Sequence, residues 1–432
     1  MMLSINNIST SHPKRAKSAF MLLLFSLWLH TVEHVAAQNQ PLSLDSVLHQ
    51  IAVNNPMLQQ YNTRSKAMDA YAEGATGWMA PMVGGGVFML PYPGQNTMGD
   101  AREGSVMLSA EQAIPNPAKQ RASQTYLNSR ASIEEEKQAV TYNQLRAQAK
   151  ATYYSWVVQE RKMAVLKENE RIMEFMLKLA RIRYPYSQGK LGSIYKAEAR
   201  LHEVENMQLM TANEIVQKNV QLNTLMNLPK EQRFTIDTLV TIPAPVVLTA
   251  DSVYLNNARS DIRQLDRTIE SMRLNAQLEN LERKPDFRLR FDHMTPLNTS
   301  MPNQFTAMGM VSIPIAPWSS KMYKANVKAM NLEIEAMQQE RESILNEALG
   351  MIREMALEVN TKREQVGNYK SKILPALKKN YDVTMLAYEQ NNAELPDVID
   401  AWEALNMAQM EYLNNLEQLY LIVVKYEKEL EK

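Results

Sequence analysis

Two aspartates, Asp397 and Asp400 in the run Asp-Val-Ile-Asp, are the residues of this sequence best spaced for joint chemistry. On a helix, an i, i+3 pair shares one face, so both carboxylates would point the same way. Such a pair favours cations where it lines a pore. It equally suits a helix start, because Asp397 follows Pro396 and a carboxylate is favourable at a helix N-terminus. A second charged set, Arg288, Arg290 and Asp292, alternates with Phe287, Leu289 and Phe291. That period of two puts charge on one face of a strand and apolar side chains on the other. Other chemistries lack their residues. With no cysteine in 432 residues there is no disulfide, thiolate metal site or cysteine nucleophile. Of the six histidines, the three beyond residue 37, His49, His202 and His293, lie about 90 to 150 positions apart and show no metal-ligand spacing, and no Ser/His/Asp constellation or G-x-x-x-x-G-K-[ST] loop occurs. No enzyme, metal site or cofactor is expected, and 47 basic against 47 acidic residues argues against a nucleic-acid partner. The 29 methionines read as seam filler, since Met packs irregular gaps well.

The elements that must carry these residues are long and helical. Residues 1–37 have the form of a signal peptide. Lys14, Arg15 and Lys17 precede an apolar core from Ala19 to Leu29, and Val35-Ala36-Ala37 offers a cleavage site before Gln38. The remainder reads as two repeats at an offset of 204, residues 38–228 and 251–432, joined by a Pro- and β-former-rich linker at 229–250. Each repeat runs helix, two strands, very long helix, turn, returning helix. The strands are expected at 81–90 and 105–114, then at 285–294 and 304–314. The long helices are expected at 118–184 and 318–374, and the returning helices at 193–228 and 397–432. Ala118 to Tyr184 contains neither Gly nor Pro and would run about 100 Å as one helix. Apolar residues recur along it in alternating steps of three and four, a coiled-coil seam. Any one such strand suits an ordinary half-buried sheet; pairs of about ten residues joined by polar or Pro/Gly/Asn-rich segments also suit a transmembrane barrel, and Arg288, Arg290 and Asp292 would then face its lumen rather than lipid. Four strands cannot close such a barrel, so several chains would be needed.

The order and duplication of these motifs resemble the TolC family of outer-membrane efflux channels. The resemblance covers about residues 41 to 430. Leu42-Ser-Leu-Asp-Ser-Val followed by Asn54-Asn55-Pro56 is similar to the family's opening helix. Tyr184 with Ala197, and Tyr388 with Ala401, reproduce a turn aromatic thirteen places before an alanine. Gln112-Ala-Ile-Pro-Asn-Pro and Ser312-Ile-Pro-Ile-Ala-Pro-Trp are similar to the heavy-metal efflux branch. The resemblance implies a mainly helical fold with a small β part, in which three protomers close a twelve-stranded barrel in outer-membrane lipid above a periplasmic helical tunnel. It implies a passive duct, fed by an inner-membrane pump and a periplasmic adaptor. It also implies that Asp397, Asp400 and Tyr388 form the pore entrance, and that the turns at Tyr184, Ser187, Gly189 and Asn391 dock the adaptor. The family's turn glycine is Ser187 or Asn391 here, and its arginine between turn and aspartates is Ala393, a departure from the pattern that a Tyr–Asp–Arg lock of the family's kind would need. Two rival readings are a periplasmic adaptor, with one hairpin among small β-rich domains, and a secreted structural coiled coil.

Overall fold

The computed structural model describes residues 41–92, 104–186, 189–241, 252–297, 301–314 and 316–432. The signal-peptide segment, Ser187 and part of the linker lie outside these.

Ser43 opens the first helix, α1 (Leu44–Asn54), by accepting the Ser46 amide through its hydroxyl at 3.2 Å. Pro56 cannot continue that helix's hydrogen bonding, so the chain restarts as α2 (Pro56–Gly74), capped by Asn55 Oδ1 on the Met57 amide at 2.9 Å. Strands β1 (Met82–Phe88) and β2 (Ser105–Ile114) follow. Asn116 then caps α3 (Pro117–Arg183), whose 67 residues run unbroken. A 3-10 turn at Tyr184–Tyr186 leads back into α4 (Leu191–Leu225). The second half repeats the plan with α5 (Ser252–Ala258), α6 (Ser260–Asn280), β3 (Asp286–Pro296), β4 (Gln304–Ser312) and α7 (Pro317–Asn368). It closes with α8 (Leu374–Glu389) and α9 (Leu395–Glu429).

The second long helix differs from its expected end at Leu374. Pro375 offers no N–H and crowds the carbonyl four residues back, which argued for a stop there. Instead a π turn at Tyr369–Ile373 widens the helix just before the proline, and the rod continues as α8 to Glu389.

Short helices stack end to end beside the long ones. Asn55 Nδ2 donates to the Leu225 carbonyl at 2.8 Å, tying the start of α2 to the end of α4. At the positions 204 residues later, Arg259 Nη1 donates to the Glu429 carbonyl at 3.2 Å. The side chain at each α-helix restart thus satisfies a carbonyl that helix geometry leaves open. Around the middle of the rod, the segment after α4 forms a parallel bridge at Ile236 with Leu42, just ahead of α1. The Leu42 amide donates to the Thr235 carbonyl and the Asp237 amide to the Leu42 carbonyl, at 2.9 and 3.2 Å. The Tyr153 hydroxyl lies 3.0 Å from the Leu42 carbonyl and 2.9 Å from that of Asp237.

Apolar side chains bury themselves along the rod rather than in one central core. Val47, Ile51, Trp156 and Leu222 fill the middle, while Met173, Ala197, Val398 and Trp402 fill the turn end. Each fully buried Leu, Ile or Val contributes about 1.5–3 kcal/mol. One polar network interrupts this seam. Asn169 accepts from Trp402 Nε1 at 2.8 Å and donates to Asn406 Oδ1 at 2.9 Å, which fixes the register of α3 against α9.

The four strands form one antiparallel sheet in the order β1-β2-β3-β4, so β1 and β4 are its edges. The wall beneath it has the same order, with α2 on α3, α3 on α6 and α6 on α7.

Candidate pore entrance and barrel lining

Asp397 and Asp400 lie at the start of α9, and the helix begins two residues earlier than expected. Glu394 is the N-cap, and Asp397 is the third helical residue, returning its Oδ2 to the Glu394 amide at 3.0 Å. The Glu394 side chain accepts the Asp397 amide in turn, a reciprocal capping box that places a carboxylate against the positive helix end. Asp400 lies one turn on and is also exposed. Its Oδ1 takes the Lys196 ammonium at 2.7 Å. Lys190 grips Glu394 in the same way at 2.9 Å, and this hydrogen bond raises the lysine's pKa. Arg200 adds a third bridge, to Glu403. All three pairs join the α4 end of the first repeat to the α9 end of the second. Exposed pairs contribute about 0–1 kcal/mol apiece, so their main effect is on the charge pattern. Asp400 is neutralised within its own chain, whereas Asp397 makes no ion pair among the described residues.

Tyr388 and Tyr184 occupy matching positions in the repeats and opposite environments. Tyr388 is 3% exposed and Tyr184 is 43% exposed. Burial pushes the Tyr388 hydroxyl above its usual pKa, with nearby Arg183 partly offsetting it. Arg183 comes from the last turn of α3. Its two terminal nitrogens donate to the carbonyls of Tyr388 at 2.5 Å and Glu389 at 2.8 Å, and its guanidinium stands 4.5 Å from the Tyr388 ring centre. Asn391 then takes a φ of 60°, and its amide donates to the Tyr388 carbonyl at 3.0 Å. Asn tolerates this left-handed backbone better than most residues, so the turn closes without glycine. Between the two turns is a cleft of about 370 Å³ lined by Arg183, Gly189, Lys190, Tyr388, Asn391 and Leu395.

At the other end of the molecule, the strand register sorts side chains by face. Arg290 lies opposite Glu111 on β2 and Met308 on β4, and Asp292 lies opposite Ser109 and Thr306. Arg288 pairs with Glu111 at 3.3 Å and Arg290 with Asp292 at 3.0 Å, so the charges on this face are mutually compensated. Asp292 is buried in the process. The same face carries Met82, Met107, Met294, Met308 and Met310. The opposite face shows Val106, Leu108, Phe287, Leu289, Phe291, Phe305 and Val311, all exposed. An apolar surface this continuous is a contact surface for lipid or protein. Trp78 and Trp318, just beyond the strands, are 64% and 82% exposed, in the positions of interfacial anchors.

Among the described residues no helix is long and apolar enough to cross a membrane, and no group of three or more His, Asp or Glu is placed to hold a metal. The described residues form long paired helical rods ending in an open, two-faced, four-stranded sheet, a fold shared with solved outer-membrane channels and in line with the one expected from the sequence. By sequence, no family model and no curated protein matches the chain. By structure, it is similar to the outer-membrane channel OprN, with a TM-score of 0.72 at 15% identity over 91% of this chain and 93% of that one. CusC, described for its transmembrane channel formation, gives 0.70 at 14% identity over 92% and 95%. The open state of the Neisseria gonorrhoeae outer-membrane channel MtrE gives 0.69 at 18% identity over 90% and 88%.

The structure brings Tyr388, Asn391, Asp397 and Gly189 to one end of the rod, and Arg288, Arg290 and Asp292 to one face of the sheet. Sequence reasoning missed Arg183, Lys190, Glu394 and the pairing of Lys196 with Asp400. The last three were open to discovery, because Lys190 with Glu394 and Lys196 with Asp400 are each 204 apart and opposite in sign. Arg183 left no such signal.

Proposed function

We propose that the protein is the outer-membrane duct of a tripartite efflux system, in which three copies close a twelve-stranded barrel and extend a helical tunnel into the periplasm. The sheet carries this reading. Its four strands leave both edges open, one face is apolar and the other is charged but self-compensated, as a lipid-facing wall around an aqueous lumen requires. An open sheet edge is not tolerated in lipid, so closure by further copies follows. The likeness to OprN, CusC and MtrE over nine-tenths of the chain supports the same reading. A periplasmic adaptor would set one hairpin among several small β domains, and the described residues instead form two hairpins under one sheet.

Arg288, Arg290 and Asp292 line the lumen, because basic residues on the lipid face would cost about 2–4 kcal/mol each near the midplane. Asp397 and Asp400 border the inner mouth, with Tyr388 packed behind them. The turns at Tyr184 to Gly189 and at Asn391 meet the adaptor, and the pump supplies both cargo and energy. A leader at 1–37 directs export. Reconstituted in planar bilayers, the protein should give discrete conductance steps, larger when Arg183→Ala loosens the turn. A bilayer resistance unchanged by both forms would overturn the proposal.

A further inference from the structure

The face of the sheet that carries Arg288, Arg290 and Asp292 sets a thioether beside each arginine. Arg290 lies opposite Met308 on β4, and Arg288 lies opposite Met310. Side chains directly opposite in an antiparallel pair share a face, with Cβ atoms about 4.5–5.5 Å apart. Both side chains of each pair are long and unbranched, so the sulfur lies within reach of the guanidinium. Met308 is 47% exposed and Met310 is half-buried, which leaves both open to small solutes.

The arginines have unused donors at this place. Arg290 gives its Nε to the Asp292 carboxylate, at 3.0 and 3.1 Å, and its two terminal nitrogens have no hydrogen-bond partner among the described residues. Arg288 gives one terminal nitrogen to Glu111 at 3.3 Å, and its other N–H groups have none. A neighbouring thioether does not satisfy these donors, because its sulfur is a weak acceptor. Oxidation reverses that. One oxygen added to the sulfur turns a soft apolar side chain into a polar sulfoxide, whose oxygen accepts hydrogen bonds.

We propose that Met308 and Met310 are sulfoxidation sites, and that each sulfoxide clips onto the arginine opposite it when a hypohalous acid enters the lumen. In the step, the methionine sulfur loses two electrons and gains the oxygen of the acid. The halogen takes up the two electrons and leaves as halide, and the proton goes to water. Arg290 then divides its N–H groups between Asp292 and the new oxygen, and Arg288 does the same between Glu111 and its own. The two carboxylates are held less tightly and offer more of their charge to the lumen, which favours cations. The effect on transport rests on the barrel reading above, whereas the modification does not.

With no cysteine in the chain, no thiol competes for the oxidant. Hypochlorite applied to the full-length folded protein, followed by peptide mass mapping, should add one oxygen to Met308 and to Met310. Met173, Met176 and Met226, buried in the rod, should stay unreacted. In planar bilayers the same treatment should shift the reversal potential in a salt gradient toward cation preference. Met308→Leu with Met310→Leu should lose that shift, measured against its own untreated value. Met322→Leu, at an exposed position on α7, should keep it. If both methionines resist hypochlorite while Met322 reacts, the sites are wrong. Oxidation of both with no shift, or a shift that survives in the double Leu variant, overturns the clip. An untreated protein without conductance overturns the barrel reading, and the mass map then decides the sites alone.

Discussion

Replacing Arg183 by alanine should unfasten the second turn while leaving the rest of the rod in place. The side chain makes two hydrogen bonds from a charged donor to carbonyls, at 2.5 and 2.8 Å, and stacks over a buried tyrosine. A hydrogen bond to a charged group contributes about 1.5–3 kcal/mol. Arg183 is only half-buried and water can replace part of each bond, so about 2 kcal/mol in all is a fair value. At about 1.4 kcal/mol per factor of ten, local opening of the turn becomes roughly 30-fold more frequent. Hydrogen exchange reads this directly, because the Asn391 and Asn392 amides are held by the carbonyls of Tyr388 and Ala387 at 3.0 and 2.8 Å. Their protection should fall by about that factor, while amides in the middle of α3 stay unchanged. Arg183→Lys should lose most of the same protection, since an ammonium cannot fork to two carbonyls. Protection of residues 390–393 within a factor of about two of wild type in Arg183→Ala would refute the argument.

Three further outcomes follow from the same geometry. Lys196→Gln uncovers Asp400, so the reversal potential in a salt gradient should shift toward cation preference, and Asp400→Asn should shift it back. Asn55→Ala removes both a helix cap and the bond to the Leu225 carbonyl, and should lower stability by about 1–2 kcal/mol in urea unfolding of the extracted protein. Burial, aided by Asp237, pushes the Tyr153 hydroxyl from 10.0 up to about 12. Because the folded value is the higher one, its contribution is whole below pH 10 and disappears as pH climbs through 12. Stability should therefore fall in that window, and Tyr153→Phe should remove this component of the fall.

Much of the fold was legible because its signals are long and local. The Gly- and Pro-free run from Ala118 to Tyr184 and the alternation at Phe287 to Asp292 depend only on period. The break at Pro56 was passed over, since each repeat was expected to open with a single helix, although Asn55 and Pro56 are the residues that make it. The π turn at Tyr369–Ile373 was not legible, because Pro375 signals a stop and only packing along the whole rod favours continuing through it. The turn chemistry was half legible. Asn391 could be read as a left-handed residue from its type. Arg183 reaches the carbonyls of Tyr388 and Glu389 only once two turns lie side by side, and carbonyl partners leave no mark on sequence. The aspartates illustrate the same limit. Spacing put Asp397 and Asp400 on one face, but that one caps its helix while the other is paired with Lys196 depends on the neighbouring hairpin.

The mass of the protein extracted by mild detergent from outer membranes tests the central claim most directly. A particle of three chains recovered from that membrane is the predicted result, and a single chain recovered from the soluble periplasmic fraction would contradict it.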